Sequence, residues 1–250
     1  MTYVSPSQIA TWRGCQRKWA YSRQRPRTQN KYAEFGTAMH TELELWLTGQ
    51  RPPDNTTLPG RTAMAGLKHL PMPGTCAVEQ RVDIEYENVH YLGYIDATWY
   101  DADARCVNVV DHKSCGSFQY CHTPETLETD PQFLVYGMFG LLEAPDAIMA
   151  RGLWNYLQRA TPSKPPRANP VAAIVSAYRL RERFHEMHHA EGKAIAQAAA
   201  ERLPPEELPR NPNECDRYGG CPFASECWAA TEKPPNVAAI LAAPTTDNED

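Results

Sequence analysis

Asp96, Asp111 and Lys113 fall in two segments that read as neighbouring strands. Side chains at i and i+2 of a strand share a face, so Asp111 and Lys113 project together. A hairpin centred on Asp103-Ala104 pairs residues whose numbers sum to 207, which sets Asp96 opposite Asp111. Two opposed carboxylates repel unless a cation lies between them. Their hard oxygens select Mg²⁺ or Mn²⁺. Such an ion can bind a phosphate oxygen and lower the pKa of a bound water. Lys113 could orient that water or stabilise charge developing on phosphorus. The apolar run VNVV ahead of Asp111 suits a buried strand that carries its site at its end.

A second set of residues is rich in sulfur. Cys215, Cys221 and Cys227 are separated by five residues each, and Cys15 lies 200 residues before the first of them. Four thiolates suit either an iron–sulfur cluster or tetrahedral Zn²⁺. Bridging Cys15 to Cys215 would close a very long loop, so the default role is a structural clasp. The start of the chain has no basic stretch followed by an apolar core, which points to the cytoplasm. There eight cysteines argue for metal ligation or free thiols rather than disulfides. Cys76, Cys106, Cys115 and Cys121 share no pattern and read as free thiols, mostly buried. In HEMHH, His185 and His189 have a spacing that could bind metal. Without a nearby third ligand these histidines read as a polar helix surface.

The elements that would carry these residues follow from periodicity and punctuation. Ser5, Pro6 and Gln8 form a helix start, and one helix is expected from there to Arg25-Pro26. A second is expected over about Glu34 to Thr48, and a short one near Arg61 to Leu70. Strands are expected at Cys76 to Tyr86, His90 to Tyr100 and Arg105 to Lys113, then a helix from Pro131 to Leu142. A strand over Ile148 to Leu157, a loop through TPSKPPRANP and a long helix from Val171 to Arg202 complete the body. Residues 1–232 read as one domain and 233–250 as a disordered tail.

The net charge is −5 over 250 residues. From Thr11 to Lys31 there are seven basic residues and no acidic one, which leaves −5 − 7 = −12 for the rest. A local basic surface can hold phosphates on an acidic molecule. No apolar run approaches the ~18 residues of a membrane span.

Four ordered motifs give the chain a resemblance to the RecB-like branch of the PD-(D/E)XK nuclease superfamily. They are Gly36-Thr-Ala-Met-His40, Gly93-Tyr-Ile-Asp96, Asp111-His-Lys113 and Gln132-Phe-Leu-Val-Tyr136. The resemblance implies an α/β fold with a mixed central sheet flanked by helices. It implies His40 as a metal ligand beside Asp96 and Asp111, with the His112 carbonyl completing the shell. Lys113 would be the catalytic lysine, and Gln132 and Tyr136, one helical turn apart, would contact DNA or support it. Glu79, which precedes the hairpin, is a further candidate to support the site. The cysteine segment resembles that of AddB-type nucleases and CRISPR-associated RecB-like exonucleases, which draw a first cysteine from the N-terminal helix, as Cys15 would be. That favours a 4Fe–4S cluster over zinc, although the first gap here is longer than the common one.

The implied activity is metal-dependent hydrolysis of DNA, chiefly as an exonuclease on single-stranded or free ends. The alternatives are a structure-specific endonuclease and a non-cutting DNA-binding or assembly subunit. A homo-oligomer or a partner protein from recombination or CRISPR adaptation fits the same reading.

Overall fold

A computed structural model of the chain describes residues 3–25, 31–161, 163–217 and 220–229. The expected tail from 233 to 250 and Arg27 of the basic stretch lie outside them. Two compact units are present. The larger comprises Met1–Ala10 and Arg27–Glu201, and the smaller Thr11–Pro26 and Arg202–Asp250.

The larger unit is built on a mixed six-stranded sheet: β1 (Tyr3–Val4), β2 (Ala77–Tyr86), β3 (Val89–Asp101), β4 (Cys106–Cys115), β5 (Met149–Gln158) and β6 (Arg167–Ser176). The helices in chain order are α1 (Pro6–Gly14), α2 (Gln16–Gln24), α3 (Lys31–Leu47), α4 (Leu58–Met64), α5 (Pro124–Leu127), α6 (Pro131–Glu143), α7 (Ala177–Met187), α8 (Lys193–Ala200) and α9 (Ala224–Ala229). The fold is thus the expected mixed sheet between helices. The strands run β1-β3-β4-β5-β6, with β2 also paired to β3. β4 and β5 are parallel and the β2–β3, β3–β4 and β5–β6 pairs antiparallel. The β3–β4 ladder runs from Asp101↔Cys106 to Ala97↔Val110, so the expected register of 207 is observed.

Helices cover both faces. Leu47 of α3 packs with Ala97, Val110 and Leu153, while Met39 and Leu43 pack with Leu157. On the other face Phe133 of α6 meets Trp154 edge-on at 6.2 Å between ring centroids. Leu153 and Trp154 are consecutive on β5, so they mark the two sides of the sheet. Cys106 is buried but Cys76, Cys115 and Cys121 are only partly covered, which corrects the expectation of mostly buried thiols. No helix among the described residues is long and apolar enough to cross a membrane.

Three element assignments differ from expectation, the first being that Arg167–Pro170, at the end of the expected TPSKPPRANP loop, already belong to β6. The first helix is broken at Cys15, which is extended (φ −160°, ψ 113°), between α1 and α2. Side-chain contacts account for the break: the Asn211 amide donates to the Gly14 carbonyl at 2.9 Å, and the Asn211 backbone N–H approaches Cys15 Sγ at 3.4 Å. The expected long helix from Val171 begins as β6 instead. Val171, Ala173 and Val175 are buried while Ile174 and Ser176 are exposed, a period of two that alanine's helix propensity masks. The helix starts only at Ser176, whose hydroxyl accepts the Arg179 N–H at 3.2 Å.

Candidate active site

The site forms where β4 parts from β3. The ladder ends at Ala97↔Val110, one pair short of Asp96 and Asp111. The aspartates are therefore not a hydrogen-bonded strand pair, as direct opposition would have made them, and like charges disfavour that pairing. Asp96 Oδ2 instead accepts the backbone N–H of His112 at 2.6 Å. Nearby, β3 changes the face it turns inward. Gly93 lies beneath Tyr136 of α6, whereas Ala97, of the same parity, packs under Leu47 of α3. Across from Asp96, Glu79 of β2 has φ +50°, and the β2–β3 ladder skips that position. A left-handed glutamate inside a strand costs energy and commonly marks a site.

Side chains reach this fork from both faces. His40 of α3 places Nδ1 3.4 Å from Asp96 Oδ1, and its ring meets that of His112 at 5.7 Å. From the α6 side, Lys113 Nζ lies 2.6 Å from Asp111 Oδ2 and donates to Gln132 Oε1 at 2.6 Å. The Gln132 amide donates to Asp111 Oδ1 and, at 3.4 Å, to Tyr136 Oη. Both ends of the Gln132 amide are thus assigned. Gly93 is required for this arrangement, because a Cβ there would lie 2.7 Å from Tyr136 Cε1.

Burial and charge set the ionisation. Burial lifts the Asp111 carboxyl to about 6, although Lys113 pulls it down. Burial acts upward on Asp96 too, but His40 and the His112 N–H hold it below the ordinary carboxylate range. Burial would lower His40, yet the Asp96 and Asp111 carboxylates and the His112 backbone hold its imidazolium up to about 9. Burial pushes the His112 imidazole down to about 4. Burial also opposes the charge on Lys113, but Asp111 outweighs it and keeps the ammonium above its ordinary value. Two hard carboxylates beside an imidazole fit Mg²⁺ or Mn²⁺. The raised Asp111 marks a place short of positive charge even with Lys113 in contact.

Some neighbours were not singled out in the sequence. Asp130 caps α6, accepting the N–H groups of Gln132 and Phe133 at 2.9 and 3.2 Å, and it pairs with His122 at 3.2 Å. The Asp130-Pro131 pair at a helix start was its available signal. Glu44, one turn beyond His40, and Asp96 both raise the Glu79 carboxyl, after burial. That places Glu79 in the acidic surroundings of the fork.

In the smaller unit Cys15, Cys221 and Cys227 all lie near enough to Cys215 to disfavour its thiolate, after burial. Cys221 N–H donates to the Cys215 carbonyl at 2.7 Å. Cys15 and Cys215 both meet Asn211, whose N–H approaches Cys15 Sγ at 3.4 Å and whose carbonyl accepts from Cys215 Sγ at 3.9 Å. Part of the basic stretch is engaged here. Arg17 donates to the carbonyls of Leu208 and Glu206, both at 3.0 Å, and Arg25 pairs with Glu226.

No family model and no curated protein matches the chain. Solved structures do. One from Eubacterium rectale, described as a proposed exonuclease, has 12% sequence identity and a TM-score of 0.56, covering 97% of this chain and 94% of its own. Another, described as a phage related exonuclease from Haemophilus somnus 129PT, has 12% identity and a TM-score of 0.39, covering 77% of this chain and 82% of its own. At these identities the likeness is one of fold, and it rests on the first structure.

Proposed function

We propose that this chain is a metal-dependent deoxyribonuclease acting as an exonuclease on single-stranded DNA ends. The observation that carries the reading is the fork, where Asp111, Lys113 and Gln132 lock one another beside Asp96 and His40. The fold likeness to one structure described as a proposed exonuclease supports it.

Asp96, Asp111, His40 and the His112 carbonyl would hold Mg²⁺ or Mn²⁺. When bound, the ion supplies a positive contact for the scissile phosphate and a more acidic water. Lys113, oriented by Asp111 and Gln132, holds its ammonium where negative charge develops on phosphorus. His40 must shed its proton to act as a ligand, and the ion's charge favours that loss. Tyr136, its phenol kept protonated by burial, backs Gln132. In this reading Cys15, Cys215, Cys221 and Cys227 hold a 4Fe–4S cluster with a structural role in a reducing cytoplasm.

The test uses protein purified without oxygen and single-stranded DNA labelled at either end, with Mn²⁺, Mg²⁺ or EDTA. Metal-dependent loss of label, absent in Lys113→Ala, is expected, and the end lost first gives the polarity. No cleavage by a folded protein that retains its cluster metal would sink the proposal. Release of internal fragments before label would replace exonuclease with endonuclease.

A further inference from the structure

Away from the fork, the turn between β2 and β3 meets the segment between α7 and α8. Glu87 and Asn88 form the turn, both with positive φ (44° and 65°). The facing segment, His188–Gly192, is a single π-helical turn. Such turns persist at an energetic cost and frequently mark functional positions. Among the described residues, the group that brings three ligand atoms within 4.8 Å of one another is Glu87, His188 and His189.

The geometry suits a tetrahedral ion. Glu87 Oε2 lies 3.5 Å from His188 Nε2 and 3.6 Å from His189 Nε2. Two ligands each about 2.1 Å from a tetrahedral ion lie roughly 3.4 Å apart. His188 is fully buried, and its Nε2 has no hydrogen-bond partner. Its other nitrogen, Nδ1, is 2.8 Å from Tyr91 Oη. If Nδ1–H donates to that oxygen, Nε2 presents its lone pair toward Glu87. An oxygen that holds the far nitrogen of the imidazole in this way is the usual companion of a metal-bound histidine. Gly192 makes the contact possible, since a Cβ there would lie 2.1 Å from Tyr91 Oη.

We propose that Glu87, His188 and His189 form a site for Zn²⁺ or a similar borderline divalent ion, tying the β2–β3 turn to the π turn. Two imidazoles and one carboxylate suit Zn²⁺ better than Mg²⁺, and a fourth position stays open to water. Lys193 is the present counter-charge, with Nζ 2.7 Å from Glu87 Oε2 and 3.3 Å from His189 Nδ1. It is partly exposed and can swing into water when an ion enters.

The test measures Co²⁺ uptake by the full chain, purified without oxygen with its cysteine-bound metal retained. The background is Asp96→Asn/Asp111→Asn, so that the fork does not contribute. Glu87→Gln and His189→Asn are the main variants because both positions are exposed and spare the buried His188. The parent is expected to bind one equivalent more than either variant, with ligand-field bands that lack thiolate charge transfer and that Zn²⁺ displaces. Zn²⁺ should also raise the parent's thermal midpoint and not the variants'. Lys193→Met should tighten Co²⁺ binding several-fold. Equal uptake by parent and variants, a spectrum dominated by thiolate, or weaker binding by Lys193→Met would overturn the site.

Discussion

Two lysine–carboxylate pairs in the larger unit have almost the same length and opposite settings. Lys113 lies 2.6 Å from Asp111, whose side chain is 4% exposed, and Lys193 lies 2.7 Å from Glu87, whose side chain is 41% exposed. Distance alone would rank them equal. Burial separates them, because a buried carboxylate that loses its cation cannot recover the lost interaction from water. At the fork the lysine, the carboxylate and an amide form a closed set. At the turn the lysine is a replaceable occupant.

The strongest test of this contrast is Lys113→Met. Cleavage should fall by about 10³-fold, the range for losing a positioned charge or proton-transfer group. Urea unfolding should show a loss of about 2 kcal/mol, less than for a fully buried pair because the lysine is one-third exposed. Stability unchanged within error would mean that Asp111 is not relying on its lysine. Gly93→Ala probes the fork without touching a charge. The new methyl would press on Tyr136 and, through it, on Gln132, so a loss of ~1–3 kcal/mol is expected from overpacking. A neutral result would show that Tyr136 can move freely.

His40 extends the contrast to pH. Its pKa rises from 6.5 to about 9 in the folded chain, so it contributes stability that is fully present below about pH 6.5 and lost as pH rises through about 9. Thermal midpoints measured in EDTA should therefore decline across that window, and His40→Gln should flatten the decline. An identical slope in the variant would remove Asp96–His40 as its source. The smallest effect is expected at the turn. Lys193→Met, tested without added metal, should change unfolding free energy by less than about 1 kcal/mol, as for other exposed pairs. A loss as large as that of Lys113→Met would erase the distinction between the two pairs.

The fork was legible because its signals are local. Asp111 and Lys113 share a strand face by alternation, and the short Asp101–Ala104 turn sets the 207 register. The end of the ladder at Ala97 and the left-handed Glu79 were not legible, since both depend on how β3 twists between two layers of helices. β6 was misread because the Ala-rich run at 171–173 favours a helix locally, and only pairing with β5 makes it a strand. The break at Cys15 depends on Asn211, 196 residues away. The Glu87 contact likewise joins the β2–β3 turn to residues about 100 positions later, so HEMHH read by itself lacked its third ligand.

The division of the chain carries a practical consequence for fragments. The smaller unit is assembled from two stretches that flank most of the larger one in sequence. A chain truncated after Glu201 would keep every residue of the fork. It would also leave Tyr21, buried in the intact chain, without its stacking partner Phe223 and Arg17 without the Leu208 and Glu206 carbonyls. Stripping those contacts would uncover the Tyr21 ring near the start of the polypeptide, a recipe for inclusion bodies rather than a minimal working fragment.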